Sequence, residues 1–386
     1  MKIVIIITHP IQYYAPVFKL LNQQKNLEVK VFYTLGKNAI NKFDLGFKKK
    51  INWDIPLLDG YDYAWVENSS SKPGSHHFKG IITPKLIDLI KEWRPNVLFV
   101  YGWAYESHFK VMRYFKNKIP IVFRGDSTLL DEQHWFRNIL RYIFLRWLYR
   151  HIDYALYTGA NNKDYFKRYG LKENQLHFAP HAIDNKRFSV DRAVEVQKLR
   201  QSLGIEKTDI LILFAGKFEE KKDPLLLLTA FIEIKRANLH LLYVGSGTLE
   251  NELRSKAKSI CNIHFMPFQN QSYLPVIYQS CDLFCLPSKG PNETWGLSVN
   301  EAMASKKCVL VSDKVGCAID LITSGHNGDV FEARNLTDLV KKLKLLTNDR
   351  INLELLGTNA KNKIIPWSFE QQVISLFRII NLNYDS

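Results

Sequence analysis

The sequence predicts two doubly wound α/β units, each a parallel sheet with helices on both faces. Three observations carry this prediction. Apolar runs of strand length recur at residues 2–8, 29–33, 97–101, 119–123 and 154–157, then again at 210–215, 240–244, 263–265, 283–287 and 308–311. Helix-length segments separate these runs, as expected for parallel strands joined by crossovers. The chain has 386 residues, too many for one ordinary core and suited to two. The polar stretch 184–209, rich in lysine and arginine, reads as the boundary: the end of one unit, a connecting helix and the first strand of the next. The expected domains are 1–190 and 191–366, with an amphipathic helix over 367–386. Sheets of this kind take ligands at the carboxyl ends of their strands, so a site is expected in the cleft between the units.

Composition narrows the class further. Hydrophobic residues make up 46% and charged residues 24%, which is globular rather than disordered. The formal net charge of +15 implies attraction to something anionic: nucleic acid, an acidic membrane surface or a phosphorylated substrate. The apolar run after Met1 is short, lacks a small-residue cleavage site and reads as a first strand rather than a signal peptide. No apolar stretch reaches the ~18 residues of a membrane span. Cys261, Cys281, Cys285, Cys308 and Cys317 are odd in number and mostly set in apolar runs, so buried free thiols in a reducing cytoplasm are expected. Cys281 and Cys285 lack a second pair of ligands, which argues against zinc. Residues 68–80 carry serines, Pro73, Gly74 and the pair His76-His77, and read as a mobile surface loop with no metal role.

The second half holds the chemistry-bearing motifs. Glu293-Thr-Trp-Gly-Leu-Ser-Val-Asn-Glu301 places two glutamates around a glycine, directly after the run 283–287 and before a helix-like run 298–305. A helix N-terminus there aims free N–H groups at a phosphate, and carboxylates beside it can accept sugar hydroxyls. Such a ligand has a diphosphate in the middle and a sugar at each end. Ser298-x-x-Glu301 also fits a capping box that needs no ligand. Lys217 and Lys222 sit on the loop after 210–215, where two cations can clamp a diphosphate and stabilise it as it leaves. The alternative is a solvated loop in which Glu219 and Glu220 neutralise the lysines. Gly245-Ser-Gly247 starts like a dinucleotide fingerprint, but Glu250 stands where the third glycine belongs, and a tight turn explains the pair equally well. The chain has no G-x4-G-K-[ST], no Asp-x-Asp and no G-x-S-x-G.

Four elements in order resemble the retaining family 4 glycosyltransferases of the GT-B fold: G-K-F-E-E-K-K, the strand followed by G-S-G, L-P-S-K-G-P-N-E-T-W-G-L-S-V-N-E-A-M-A, and S-D-K-V-G-C-A-I-D-L-I with a later G-H-N-G. The likeness is strong over about 210–340. T-H-P-I-Q-Y-Y-A-P and P-H-A-I-D-N-K-R-F look like first-domain landmarks of bacterial members that act on surface polysaccharides, lipopolysaccharide included. The resemblance implies that Glu301 holds the ribose of a UDP- or GDP-linked donor and Glu293 the hydroxyls of the transferred hexose. It implies that backbone amides of Trp295, Gly296, Leu297 and Ser298 bind the β-phosphate and that Lys222 is the phosphate-binding lysine. Lys217 stands where the family more often has arginine, which keeps the charge but loses the bidentate fork. The backbone near Phe268 would pair with the nucleobase. The last helix, after the break at Pro366-Trp367, would cross back to the first domain. No cofactor and no metal are implied.

Two departures fall in the first half. His9-Pro-Ile-Gln12-Tyr13 replaces the family's glycine pair after the first strand, and Arg124-Gly-Asp126 stands where many members carry a histidine near the reacting sugar carbon. His9, Gln12, Tyr13 and Arg124 are read as acceptor-side groups. Asp126 either meets charge developing on the sugar and orients the acceptor hydroxyl, or caps the following helix. In residues 134–151, Arg137, Arg141, Arg146 and Arg150 interleave with aromatics and leucines, as in a basic helix lying on a membrane surface. Ile139, Ile143, Leu145 and Leu148 would equally form a core stripe.

The expected protein is a cytoplasmic, metal-independent, retaining hexosyltransferase. Its acceptor is a saccharide, lipid-linked, at the inner face of the membrane, and no nucleic acid is involved. Two rivals stay open: a nucleotide-sugar epimerase or phosphorylase on the same scaffold, and a basic binding protein with a vestigial sugar site.

Overall fold

The computed structural model describes residues 1–37, 43–44, 49–50, 52–130 and 135–382. It divides into two compact units. The first comprises the described residues of Met1–Lys42, Ile55–His181 and Phe369–Ser386, and the second those of Phe43–Asp54 and Ala182–Ser368.

The strands of the first unit and the small ladder between them are β1 (Lys2–Ile7), β2 (Glu28–Tyr33), β3 (Phe43–Asp44), β4 (Lys49–Lys50), β5 (Asp62–Trp65), β6 (Val97–Tyr101), β7 (Ile121–Arg124), β8 (Tyr154–Tyr157) and β9 (Leu176–Phe178). Excluding the antiparallel β3–β4 pair, which belongs to the second unit, they form a sheet in the order β5-β2-β1-β6-β7-β8-β9. Every recorded pairing in it is parallel. β1 and β6 are covered on both faces, which is why they read as unbroken runs of Ile, Val, Leu and Phe. The helix Phe369–Leu382 packs on the helix Ala15–Asn22 of this unit, burying Leu376, Ile379 and Ile380.

The second unit adds β10 (Ile210–Ala215), β11 (Leu239–Val244), β12 (Ile263–Met266), β13 (Leu283–Leu286), β14 (Cys308–Ser312) and β15 (Gly328–Phe331). Their order is β12-β11-β10-β13-β14-β15, again all parallel. The chain winds outward from β10 to one edge, returns to β13 and winds to the other. The switch point therefore lies between β10 and β13, and the loops leaving their carboxyl ends are the ones that diverge around a ligand.

Each predicted strand is present. β5, β9 and β15 were not predicted. All three lie at sheet edges, and β15 contains Gly328 and Asp329, so none reads as an apolar run. Among the thiols, Cys281, Cys285, Cys308 and Cys317 are buried, but Cys261 is exposed. The loop 68–80 is tied to itself: Asn68 Nδ2 donates to the Gly80 carbonyl at 2.9 Å and Ser70 Oγ to that of Lys79 at 2.6 Å.

The stripe expected along residues 134–151 divides. His134 and the side chains of residues 135–137, Arg137 among them, lie outside what the structure describes. In the helix Trp135–Leu148, Leu145 and Leu148 are buried, whereas Ile139 and Ile143 are 46% and 62% exposed. Ile139 and Ile143 are thus not core residues, because the helix turns them away from the sheet.

Candidate functional site

The loop after β10 begins at Gly216 and Lys217 and closes with a 3-10 turn, Glu220–Lys222, before the helix Pro224–Ile234. The loop after β13 carries Ser288, Lys289 and Glu293. Lys222 forms an ion pair with Glu293, and Ser288 Oγ donates to the same Glu293 oxygen at 2.9 Å. A second link runs alongside: Lys289 pairs with Glu220 at 2.7 Å and Asp223 at 3.6 Å, and its N–H donates to the Lys221 carbonyl at 2.9 Å. Thus Lys222 is not neutralised by Glu219 or Glu220 on its own loop. It reaches across the switch point to a buried carboxylate.

Glu293 is 7% exposed. Burial raises its pKa, but the Lys222 charge and the hydrogen bonds from Lys222 and Ser288 outweigh burial and hold it below the usual carboxylate range. The sign of the pH dependence follows. A carboxyl whose folded pKa is depressed contributes its full stabilisation above the unfolded value of about 4.3, and loses it as pH falls through the lower folded value. Acidification from about pH 5 to pH 3 is therefore expected to lower the melting temperature of the native protein more than that of a Lys222→Met/Glu293→Leu double variant, as followed by circular dichroism.

The helix Leu297–Ala304 follows. Its N-cap is Gly296, at φ +96°, and no side chain caps it. Ser298 is the second helical residue rather than the cap, so the alternative of a capping box at Ser298 and Glu301 is not formed. A side chain at 296 would be strained by that φ, and its Cβ would meet Val315 Cγ1 at 2.8 Å. With no cap and no acidic residue in its first turn, this helix leaves a positive end beside Glu293 and Lys222. Gly316 N–H donates to the Glu293 carbonyl at 3.0 Å and Cys317 N–H to that of Trp295 at 2.9 Å, fixing the turn from behind. Trp295 is buried and donates Nε1–H to Asn300 at 2.9 Å. Glu301 is 4% exposed and accepts a 2.7 Å hydrogen bond from Tyr278.

The Gly245-Ser-Gly247 pair has a backbone explanation. A Cβ at either position would collide with the carbonyl of Gly216 or Phe218, and Phe218 N–H donates to the Ser246 carbonyl at 2.9 Å. These glycines let the β11 loop lie against the Lys217 loop, and a dinucleotide fingerprint is not needed to account for them. Phe268 follows β12, with the Trp53 ring 6.3 Å away. Trp53 comes from residues 52–54, far away in sequence. Asn270 Nδ2 donates to the Asn52 carbonyl at 2.6 Å and Ser272 N–H to Asp54 at 3.2 Å, which ties that segment to the second unit.

In the first unit, His9, Gln12 and Tyr13 follow β1, and Arg124 ends β7. Thr8 Oγ1 and His9 Nδ1 are 2.8 Å apart. Arg124 is buried and donates to the carbonyls of Ala179 at 2.9 Å and Pro180 at 3.3 Å, so its guanidinium supports the chain around it rather than facing solvent. Asp126 does not cap a helix: the next described one begins at Trp135. Its half-exposed carboxylate lies 4.0 Å from Nε2 of buried His181. Burial, then the Arg124 charge, holds His181 well below its ordinary pKa. The ring of Tyr14 stacks on His181 at 6.2 Å. Sequence reasoning assigned no role to His181, Ser288 or Tyr278. P-H-A-I-D and L-P-S mark the first two only by position, and nothing local marks Tyr278.

Residues 195–363 match the family described as glycosyl transferases group 1. Among curated proteins, the chain is 25% identical over 67% of its length to an N,N'-diacetylbacillosaminyl-diphospho-undecaprenol alpha-1,3-N-acetylgalactosaminyltransferase of Campylobacter jejuni, covering 70% of that protein. It is 27% identical over 73% of its length to the sulfoquinovosyl transferase SQD2 of Arabidopsis thaliana, covering 56% of it. Against a D-inositol 3-phosphate glycosyltransferase of Rhodococcus opacus the figures are 25%, 59% and 53%, so the chain spans about half the length of several relatives it matches. Solved structures agree in fold. HepE of Anabaena aligns with a TM-score of 0.73 at 16% identity over 99% of both chains. A sucrose-phosphate synthase of Thermosynechococcus elongatus aligns at 0.75 and 16%, over 100% of this chain and 99% of that one. The second unit thus carries the glycosyl transferases group 1 match, and the chain as a whole has the two-sheet GT-B fold.

Proposed function

We propose that this protein transfers a hexose from a UDP- or GDP-linked donor to a hydroxyl of a lipid-linked saccharide in bacterial surface-polysaccharide synthesis, retaining the anomeric configuration and using no metal. The observation that carries the reading is the Glu293–Lys222–Ser288 cluster at the β10/β13 switch point, beside the uncapped helix end at Gly296. An ammonium and free helix amides there suit a diphosphate, and the adjacent ionised carboxylate suits sugar hydroxyls. In the reaction the bond from the sugar C1 to the β-phosphate oxygen breaks and its electron pair leaves with the diphosphate. The acceptor oxygen bonds to C1 on the same face, and its proton passes to the departing phosphate. Lys222 and Lys217 stabilise the charge that develops. Asp126, His9, Gln12 and Tyr13 are assigned to the acceptor side, with Asp126 orienting the hydroxyl.

The HepE structures hold UDP, with glucose or as UDP-glucose, and the name of the Campylobacter relative describes a diphospho-undecaprenol acceptor. Both support the donor and acceptor classes proposed. The test is release of nucleoside diphosphate from a donor panel with an undecaprenyl diphosphate-linked saccharide, followed by NMR of the new anomeric centre. Retention with UDP- or GDP-hexose is expected. Inversion, or donor epimerisation without acceptor, would overturn the reading.

A lipid-linked acceptor is met at a bilayer, and we place that contact on the helix Trp135–Leu148. Leu140 and Ile143 are 72% and 62% exposed, with Phe144 and Trp147 beside them and Arg141, Arg146 and Arg150 exposed among them. Such a face inserts its apolar side chains at the headgroup boundary while the arginines meet anionic lipid. No helix of the described residues is long and apolar enough to cross a membrane. A Leu140→Glu/Ile143→Glu variant is expected to lose at least about tenfold in sedimentation with phosphatidylglycerol vesicles while melting like the native protein. Equal sedimentation would contradict the assignment.

A further inference from the structure

A second recess lies in the second unit, away from the site described above. It is a groove of about 450 Å³ bordered by Phe188, Ala193, Lys307, Arg350 and Lys361. Its floor is at the amino ends of the strands: Asp282 immediately precedes β13 and Lys307 immediately precedes β14. The Glu293 cluster, by contrast, follows the carboxyl end of β13.

The charges around the groove do not balance. Arg200, Arg350, Lys306, Lys307 and Lys361 line it, against Asp191, Asp282 and Glu354. Asp282 is already engaged, by Arg200 at 3.1 Å, by Arg350 at 3.2 Å and by the Leu211 N–H at 2.8 Å. Both terminal nitrogens of the Arg200 guanidinium are also engaged, donating to the carbonyls of Ser280, Glu206 and Asp209. Lys307 differs. It is partly buried, yet its ammonium makes no ion pair or hydrogen bond with another described residue. Burial lowers its pKa; Cys281 and Asp282 oppose the shift, and Arg200 and Arg350 reinforce it. A partly desolvated ammonium whose nearest carboxylate, Asp282, is already held by Arg200 and Arg350 is unfavourable and is relieved by a bound anion.

We propose that this groove binds a small phosphorylated metabolite, with Lys307 and Lys361 supplying the charge that holds its phosphate. A phosphate dianion offers several acceptor oxygens to an ammonium with three donors, and the volume suits a ligand the size of a sugar phosphate. The proposal is independent of which donor or acceptor the protein uses.

Glucose 6-phosphate serves as the probe, with glucose and with sodium chloride at matched ionic strength as controls. Calorimetry and thermal shift are read on the full chain for the native protein and for the Lys307→Met, Lys361→Gln and Lys222→Ala variants. Saturable binding of glucose 6-phosphate, but not glucose, is expected for the native protein and Lys222→Ala, with at least a tenfold weaker Kd in Lys307→Met and a smaller loss in Lys361→Gln. In phosphate-free buffer Lys307→Met is expected to melt at or above the native temperature, because a partly desolvated cation with no contacting carboxylate has gone. No saturable binding, equal binding by Lys307→Met, or loss of binding in Lys222→Ala would each overturn the proposal. So would a Lys307→Met protein that melts well below the native one without ligand, since its ammonium would then be serving the fold.

Discussion

Glu293→Ala is expected to reduce hexose transfer by about 100-fold or more, the scale set by loss of a charged group at a developing transition state. It is also expected to destabilise the protein. Lys222 is mostly buried, with a side chain 17% exposed, and Glu293 is its carboxylate partner across the switch point. Removing one member of such a pair leaves a buried charge uncompensated, at a cost of about 3–5 kcal/mol. The two effects can be separated. A Lys222→Met/Glu293→Leu variant removes both charges, so its melting temperature should recover most of the loss while transfer stays absent. A double variant that regains transfer would show that the pair is structural alone. A Glu293→Ala protein that melts like the native one would show that Lys222 does not depend on it.

Gly316→Ala is expected to damage the same site from behind. A Cβ at 316 would run into the carbonyl and carbon of Thr294 and lie 3.0 Å from the Trp295 nitrogen, all backbone atoms that cannot rotate away. The turn Glu293–Gly296 must then shift, and the hydrogen bond from Gly316 N–H to Glu293 lengthens. A loss of about 1–3 kcal/mol in stability, typical of a forced backbone displacement, is expected together with a raised KM for the donor. Gly74→Ala is the control, because only the His77 ring comes within 4 Å of the added methyl, at 3.9 Å. If Gly316→Ala behaves like the control in denaturant melts and donor kinetics, the turn does not need the close approach described.

Much of the fold was legible because parallel strands covered on both faces leave unbroken apolar runs; all six residues of β10 and of β11 are buried. The edges were not, because an edge strand such as β15 can hold Gly328 and Asp329 without breaking its ladder. In the site, the sequence located the switch-point loops but not their pairing. Lys222 and Glu293 lie far apart along the chain, and Glu219 and Glu220 were nearer candidate partners. Ser298 looked like a helix cap, yet the left-handed Gly296 begins the helix without one. The Tyr278–Glu301 and Asp126–His181 contacts, and the docking of Trp53 beside Phe268, join distant segments and have no local signature. Helical spacing alone could not decide which of Ile139, Ile143, Leu145 and Leu148 faces the core.

The most direct test of the central claim is calorimetric titration of the native protein and of Lys222→Ala with UDP and GDP, without acceptor and without metal. Saturable binding of one nucleotide to the native protein is expected, weakened at least about tenfold by loss of one charge-assisted contact to the diphosphate. Equal affinity in the two proteins, or no binding of either nucleotide to the native chain, would contradict a donor site at the Glu293–Lys222 cluster.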